Sequence, residues 1–316
     1  MERLAALGKS VRCFDMKPCE VLPDSVEFFQ GDITDPASLK AFFQRPTLDT
    51  RLIVIHAAGI VSISSKYDHR VYNVNVLGTK IVLNAAIEAG ADKFVYVSSV
   101  HAIPEKPDGE LMTEVSHFDP DQVVGAYAKT KAEASQYVID TAGVAGLDYS
   151  IVHPSGLTGP NDDGHGHISA LIIDYARGRL TSGVGGGYDF ADVRDVADGI
   201  IAAADHGRNG ECYILSGHYS RVKDLLDLMS EITGKRRIRH FLPIWFVKLT
   251  APLCELYYRL RKVPPLFTSY SIYTLGSNAN FSHAKATTEL DYTVRSTRET
   301  LSDTLKWFSS RKLITL

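Results

Sequence analysis

Cysteine is scarce: four residues in 316, at Cys13, Cys19, Cys212 and Cys254. None forms a C-x-x-C pair and no Cys/His set has zinc-finger spacing, which excludes a disulfide scaffold and the common structural zinc sites. Scattered thiols of this kind fit a reducing compartment, where they act as small buried hydrophobes, so a cytoplasmic enzyme is expected. Neither sign of charge is in excess. The 34 Lys+Arg and 37 Asp+Glu give a formal charge of −3, without the basic footprint that nucleic-acid binding needs. The short basic runs Lys235-Arg236-Arg237 and Arg259 to Lys262 read as solvated faces. Long apolar runs are also missing. The greasiest segment, Phe241 to Tyr258, is broken by Pro243, Lys248, Pro252 and Glu255 and falls short of the roughly 20 apolar residues of a membrane span. Met1-Glu2-Arg3-Leu4 shows no signal-peptide pattern. What remains, 45% hydrophobic and 22% charged, is the composition of a soluble globular chain with room for a large core. Its length suggests about two domains.

Apolar β-branched runs alternate with helix-period runs through the first two hundred residues. Strands are predicted over Ser10 to Asp15, Val26 to Gln30, Arg51 to Ala57, Lys93 to Ser99, Asp148 to His153 and Cys212 to Ser216. Helices are predicted over Pro36 to Gln44, Asn73 to Ala89, Tyr127 to Ala142 with Gly143 as its stop, Ile168 to Gly178, Asp192 to Asp205 and Thr297 to Ser309. Asp35 followed by Pro36 is an N-cap and first-turn proline. Gly183 to Gly187 reads as a turn, and residues 243–265 as helical with proline breaks. This alternation implies an α/β fold, a doubly wound parallel sheet covered on both faces. A dinucleotide-binding part over 1–153 is expected, followed by a smaller, mainly substrate-binding part over 154–316, with 188–216 returning to the first sheet.

The sharpest chemical signal is Tyr127-Ala128-Lys129-Thr130-Lys131. Tyr127 and Lys131 are four apart on a helix and share a face. An ammonium beside a phenol favours the phenolate and lowers its pKa, making the tyrosine a general acid/base nearer neutral pH. Ser99 stands 28 residues upstream at the end of a strand, where ligands bind in open α/β sheets. Strand alternation turns its neighbour Ser98 to the other face. Asp15, ending another strand, could accept hydrogen bonds from a ribose 2′-hydroxyl and repel a 2′-phosphate, or serve as a turn residue. NAD is therefore expected, with NADP as the alternative because Lys17 would offset that repulsion.

With these residues in this order, the chain resembles the extended short-chain dehydrogenase/reductase family, also called the NAD-dependent epimerase/dehydratase family. Further segments carry the resemblance. Gly31-Asp32-Ile33-Thr34-Asp35 resembles the family's adenine-contacting acidic turn. His56-Ala57-Ala58-Gly59 resembles its loop beside ribose and nicotinamide. Asn75-Val76-Leu77-Gly78-Thr79 is similar to its N-V-x-G-T helix, and His153-Pro154-Ser155 through Pro160 to its nicotinamide-lining segment. Tyr188 to Ala197, and Phe281 to Tyr292, resemble two later family elements. The resemblance implies a Rossmann-type fold in which Ser99, Tyr127 and Lys131 are catalytic. Tyr127 would exchange a proton with the substrate oxygen as hydride passes to or from nicotinamide, Ser99 would hold that oxygen, and Lys131 would also bind the ribose. Asp15, Asp32, Ile33, Ala57, Ala58, Gly59, Asn75, Lys131, Pro154 and Ser155 would contact the cofactor. Asn75 is either part of a water relay to Lys131 or a packing amide. The branch resembled most is the dihydroflavonol-reductase and hydroxysteroid-dehydrogenase one, acting on a ketone or secondary alcohol of a small molecule. A sugar-nucleotide epimerase or dehydratase, with Arg236, Arg237 and Arg239 as diphosphate candidates, is the alternative. A non-catalytic nucleotide sensor on the same fold is a third. Such enzymes often dimerise through the Tyr/Lys helix, so a homodimer is an expectation of the resemblance.

Three features depart from the family. The opening strand with G-x-x-G-x-x-G is missing. Met1 to Gly8 reads as the second half of the helix that would follow it, so a truncated start is expected, with one central strand lacking and two inner edges unpaired. His153 stands in place of an arginine, as a substrate contact or a packed imidazole. Ser99 is followed by Val100-His101-Ala102, without the carboxylate pair of the dehydratases. Asp162, Asp163, His165 and His167 lie close in a glycine-rich loop, but the implied chemistry needs no metal and none is expected. The proline-broken apolar stretch Leu242 to Leu266 suggests a greasy lid.

Overall fold

The computed structural model describes residues 1–18, 22–44, 50–64, 67–163, 166–249 and 269–316. Cys19, His165, Cys254, Arg259 to Lys262 and the part of the expected lid after residue 249 lie outside them. The strands, in chain order, are β1 Val11–Asp15, β2 Val26–Gln30, β3 Ile53–His56, β4 Lys93–Val97, β5 Asp148–Pro154, β6 Gly156–Thr158, β7 Gly183–Val184, β8 Gly187–Asp192, β9 Glu211–Leu215, β10 His218–Arg221 and β11 Phe241–Leu242. The helices are α1 Glu2–Ala6, α2 Pro36–Phe42, α3 His69–Tyr72, α4 Thr79–Glu88, α5 Ala126–Ala145, α6 His167–Ala176, α7 Val193–His206, α8 Val222–Thr233, α9 Ser269–Leu275, α10 Ala284–Leu290 and α11 Thr297–Ser310.

Four parallel strands, in the order β3-β4-β5-β9, carry the site. The apolar run of β4 has its first four residues buried, as a strand covered on both faces requires. On one face Phe94, Tyr96 and Ile151 pack under Val82, Leu83 and Ala86 of α4 and Ala128, Ala132 and Val138 of α5. On the other, Val95, Val152 and Tyr213 meet Val196 and Ala203 of α7 and Leu290 of α10. The Rossmann-like α/β architecture is therefore the one expected. β1 and β2 form a separate parallel pair. Both β1 and β3 are edge strands of their own sheets, and among the described residues no ladder joins the two sheets. Of residues 188–216, α7 and β9 join the four-stranded sheet, whereas β8 pairs with β6 and antiparallel with β10. Helices α6, α8 and α11 enclose a second core around Ile172, Leu226, Leu305 and Phe308.

Local signals explain several helix ends. The Asp35 carboxylate accepts the Ala37 N–H at 3.0 Å, and Ser296 caps α11 through the Glu299 N–H. Three expectations are corrected. Helix α5 runs through Gly143 and stops at Gly146, which takes the left-handed φ of 67°. Gly143 stays within the helix, and it is the left-handed backbone at Gly146 that closes it. The segment 183–187 is not a simple turn: β7 and β8 flank Gly185-Gly186, and β7 pairs with β11. The helix predicted from Asn73 starts earlier, at His69, and Asn73–Gly78 is a π turn.

Candidate active site

Helix α5 begins one residue before Tyr127, and its glycine N-cap, Gly125, has φ 104°. A side chain there would drive into the Tyr270 ring, whose Cε2 would lie 2.2 Å from the added carbon. Tyr270 of α9 thus lies directly on the backbone that launches the Tyr127 helix. Tyr127 is 6% exposed. Burial pushes its phenol up to about 12, and the hydrogen bond from Ser99 opposes this. The expectation of a lowered phenol pKa is therefore reversed: burial sets the direction, and the opposing influence comes from Ser99. Lys131 is itself buried, which pushes its ammonium down to about 8. Its Nζ donates to the Val97 carbonyl at 2.8 Å and to the Tyr96 hydroxyl at 3.4 Å, and lies 5.0 Å from the Tyr96 ring centroid.

The two serines separate by partner. The Ser98 hydroxyl pairs with that of Ser135 at 2.8 Å, inside the α5 interface. Ser99 caps the turn after β4 by accepting the His101 N–H at 3.2 Å. His153 is fully buried and stacks on Phe118 at 5.2 Å, so it is a packed imidazole. Its Nδ1 is 3.0 Å from the Ser99 carbonyl, which can only accept, so Nδ1 carries the proton. His153 thereby fixes the backbone of Ser99 from below.

The π turn at 73–78 aims Asn75 at the loop after β3. Its Oδ1 accepts the Ile60 N–H at 2.7 Å, and its Nδ2 donates to the Ile60 carbonyl at 3.0 Å and to Thr130 at 3.1 Å. The amide is a clamp between the Gly59 loop and α5, which is the packing alternative of the two. Asn75→Ala is expected to lower stability by about 1 kcal/mol, because it removes the side-chain partner of the half-buried Ile60 backbone groups; urea unfolding measures this.

The other residues named from the sequence ring this centre. A Cβ on Gly59 would sit 3.3 Å from Asn75 Oδ1 and 3.4 Å from Lys131 Nζ, so this loop runs beside the ammonium. Ala57 is exposed and Ala58 half-buried on the same loop. Ile33 packs its Cδ1 onto Gly78 of the π turn. Asp32 holds the Thr34 N–H and hydroxyl, each at 2.8 Å. Asp15 is exposed at the C-terminal end of β1 and accepts the Lys17 N–H at 3.0 Å. Pro154 and Ser155 are buried where β5 ends.

Sequence reasoning did not anticipate an aromatic wall beside Tyr127. The His101 ring lies 6.1 Å from the Tyr127 ring and stacks on Tyr188 at 5.7 Å. Its Nε2 pairs with the Tyr188 hydroxyl at 3.1 Å and its Nδ1 with that of Tyr270 at 3.3 Å. Burial pushes this imidazole down to about 4, so it is neutral at neutral pH. The partners are 87 and 169 residues away along the chain, beyond any local pattern. Among the described residues no group of three or more His, Cys, Asp or Glu could hold a metal ion, and no helix is long and apolar enough to cross a membrane.

A family profile described as the NAD dependent epimerase/dehydratase family matches residues 1–216. The chain belongs to that family. Sterol demethylase protein B of Methylococcus capsulatus is 32% identical over 98% of this chain and 94% of its own length. A 3 beta-hydroxysteroid dehydrogenase/Delta 5-->4-isomerase of Mycobacterium tuberculosis is 26% identical over 96% of this chain and 85% of its own. The crystal structure of gox2253 superposes with a TM-score of 0.84 at 28% identity, covering 99% of this chain and 94% of that one. As a member of the NAD dependent epimerase/dehydratase family, the chain is an enzyme of the oxidoreductase/epimerase type, and NAD is its cofactor.

Proposed function

We propose that this enzyme interconverts a ketone and a secondary alcohol on an apolar small molecule, with Tyr127 as general acid/base. The observation that carries the reading is the wall around Tyr127. It consists of tyrosines and a neutral imidazole, and residues 100–102 supply no carboxylate for elimination chemistry. An uncharged aromatic wall suits an uncharged substrate. The relatives whose names concern sterols and hydroxysteroids agree with that choice. Of the arginines considered for a diphosphate, Arg237 is already held by Asp227 at 2.7 Å.

The residues present fit the nicotinamide end of NAD. At that end Gly59 leaves its backbone open beside the Lys131 ammonium, in a space that a Cβ would fill; at the adenosine end the exposed Asp15 carboxylate suits the ribose 2′-hydroxyl. Bound NAD supplies the hydride acceptor or donor. In reduction Tyr127, protonated at any working pH, gives its proton to the oxygen that becomes the alcohol. Ser99 donates a hydrogen bond to that oxygen and holds it at the phenol. Lys131, cationic at neutral pH, stabilises the phenolate left behind and binds ribose. His153 keeps Ser99 in place through its carbonyl, and Asn75 keeps the Gly59 loop against α5.

A screen of cyclic ketones, aldehydes and nucleotide sugars, followed by NADH absorbance and product analysis, tests the reading. Consumption of NADH with a cyclic ketone is expected. Turnover of a nucleotide sugar without net change in NADH would overturn it in favour of epimerisation.

A further inference from the structure

We propose that residues 242–249 form a contact surface for an anionic lipid bilayer. The segment after β11 turns through Pro243 into a helix at 244–249. Its inner side is already satisfied: Ile244 and Val247 pack with Val184, Ile272 and Leu275. Its outer side is apolar too. Trp245 is 68% exposed, Leu249 71%, Leu242 41% and Phe246 40%. Trp245 and Leu249, four apart, share one face. A helix against water carries polar residues on that side, whereas tryptophan and leucine beside long basic side chains are the composition of an interfacial helix.

Charge names the lipid. Residues 235–249 contain Lys235, Arg236, Arg237, Arg239 and Lys248, and no Asp or Glu. Lys235 is occupied by the Ala176 carbonyl and Arg237 by Asp227, while Arg236, Arg239 and Lys248 are exposed. Basic residues at a bilayer attract anionic headgroups. A second copy seated on the same face would bring these cations against their own equivalents, since a two-fold contact is self-complementary, and like charges across an interface repel.

The surface is also connected to the site. Ile244 and Leu275 of α9 both lie against Gly186, and α9 carries Tyr270, the partner of His101. A bilayer at this face would present an apolar substrate beside the aromatic wall. Only this purpose rests on the reading of an apolar substrate; the lipid contact itself stands on exposure and charge.

The test is co-sedimentation of the full chain, without cofactor or substrate, with vesicles of phosphatidylcholine alone and of phosphatidylcholine with phosphatidylserine. Binding to the serine-containing vesicles is expected, with a blue shift of Trp245 emission. Trp245→Ser with Leu249→Ser should weaken it by about tenfold or more. Arg239→Gln and Lys248→Gln should each weaken it by about fivefold. A thermal melt followed by circular dichroism establishes that each variant is folded. Turnover of a water-soluble ketone should be unchanged in the Trp245/Leu249 variant. Lack of binding to either vesicle, equal binding to both, or full binding by the folded apolar variant would overturn the proposal. So would loss of a dimer in that variant without any vesicle binding, which would assign the face to a second copy. Absence of any ketone substrate would remove the functional reading and leave the vesicle result standing.

Discussion

Tyr127→Phe is expected to lower turnover by about 10²–10⁴-fold, the contribution of a positioned general acid. The ring would still pack 6.1 Å from His101, so the wall and the fold persist. Only the proton is lost. Because burial holds the phenol near 12, Tyr127 keeps that proton through the working pH range. Reduction should therefore be insensitive to the titration of Tyr127 and decline only as Lys131 loses its charge above pH of about 8. Steady-state reduction of an accepted ketone over pH 6–10, alongside NADH affinity by fluorescence, separates these effects. Affinity should be unchanged in the variant. Retention of turnover within a few-fold of wild type would remove Tyr127 from the chemistry.

Lys131→Met should stabilise the protein while disabling it. The groups facing Lys131 are Tyr96 of β4, His56 of β3, His153 of β5 and Tyr127 on its own helix. None is an anion at neutral pH. The lysine pKa falls from 10.5 to about 8 on burial, so between those values the unfolded chain binds more protons and stability rises with pH. Below pH 8 the penalty is present in full, about 3 kcal/mol. Methionine removes it and leaves the Val97 carbonyl unpartnered, at a cost of about 1 kcal/mol. A net gain of about 2 kcal/mol at pH 7 follows, shrinking toward pH 10.5, while turnover falls by about 10²–10³-fold with the loss of phenolate stabilisation. Urea unfolding at pH 7 and pH 10 measures the first part. A variant less stable than wild type at pH 7 would show that the ammonium is held by more than these contacts.

These two residues show what the sequence conveyed and what it did not. The i, i+4 pair on a helix and the serine at a strand end follow from local periodicity, and so does a sheet strand such as β4. The sign of the Tyr127 shift does not, because spacing reports a neighbouring charge and says nothing of desolvation. The wall of His101, Tyr188 and Tyr270 depends on pairings between distant segments, and no motif marked them. Tyr96 was hidden inside a strand whose pattern said only that it is buried. Gly143 and Gly146 look alike on paper, and only the one with a left-handed backbone ends α5. His153 differed from the resembled pattern, yet its work is to hold the Ser99 carbonyl.

The π turn at 73–78 sets an angular phase. Successive helical residues are displaced by about 100° around the axis, and a π turn accommodates one extra residue within an otherwise α-helical run. Asn75 within it addresses Ile60 and Thr130, while Val82, Leu83 and Ala86 after it address the sheet. The extra residue is the offset that lets one rod serve two directions. Removal of a single residue from this turn would leave a helix of ordinary geometry with either its clamp or its core face rotated out of line.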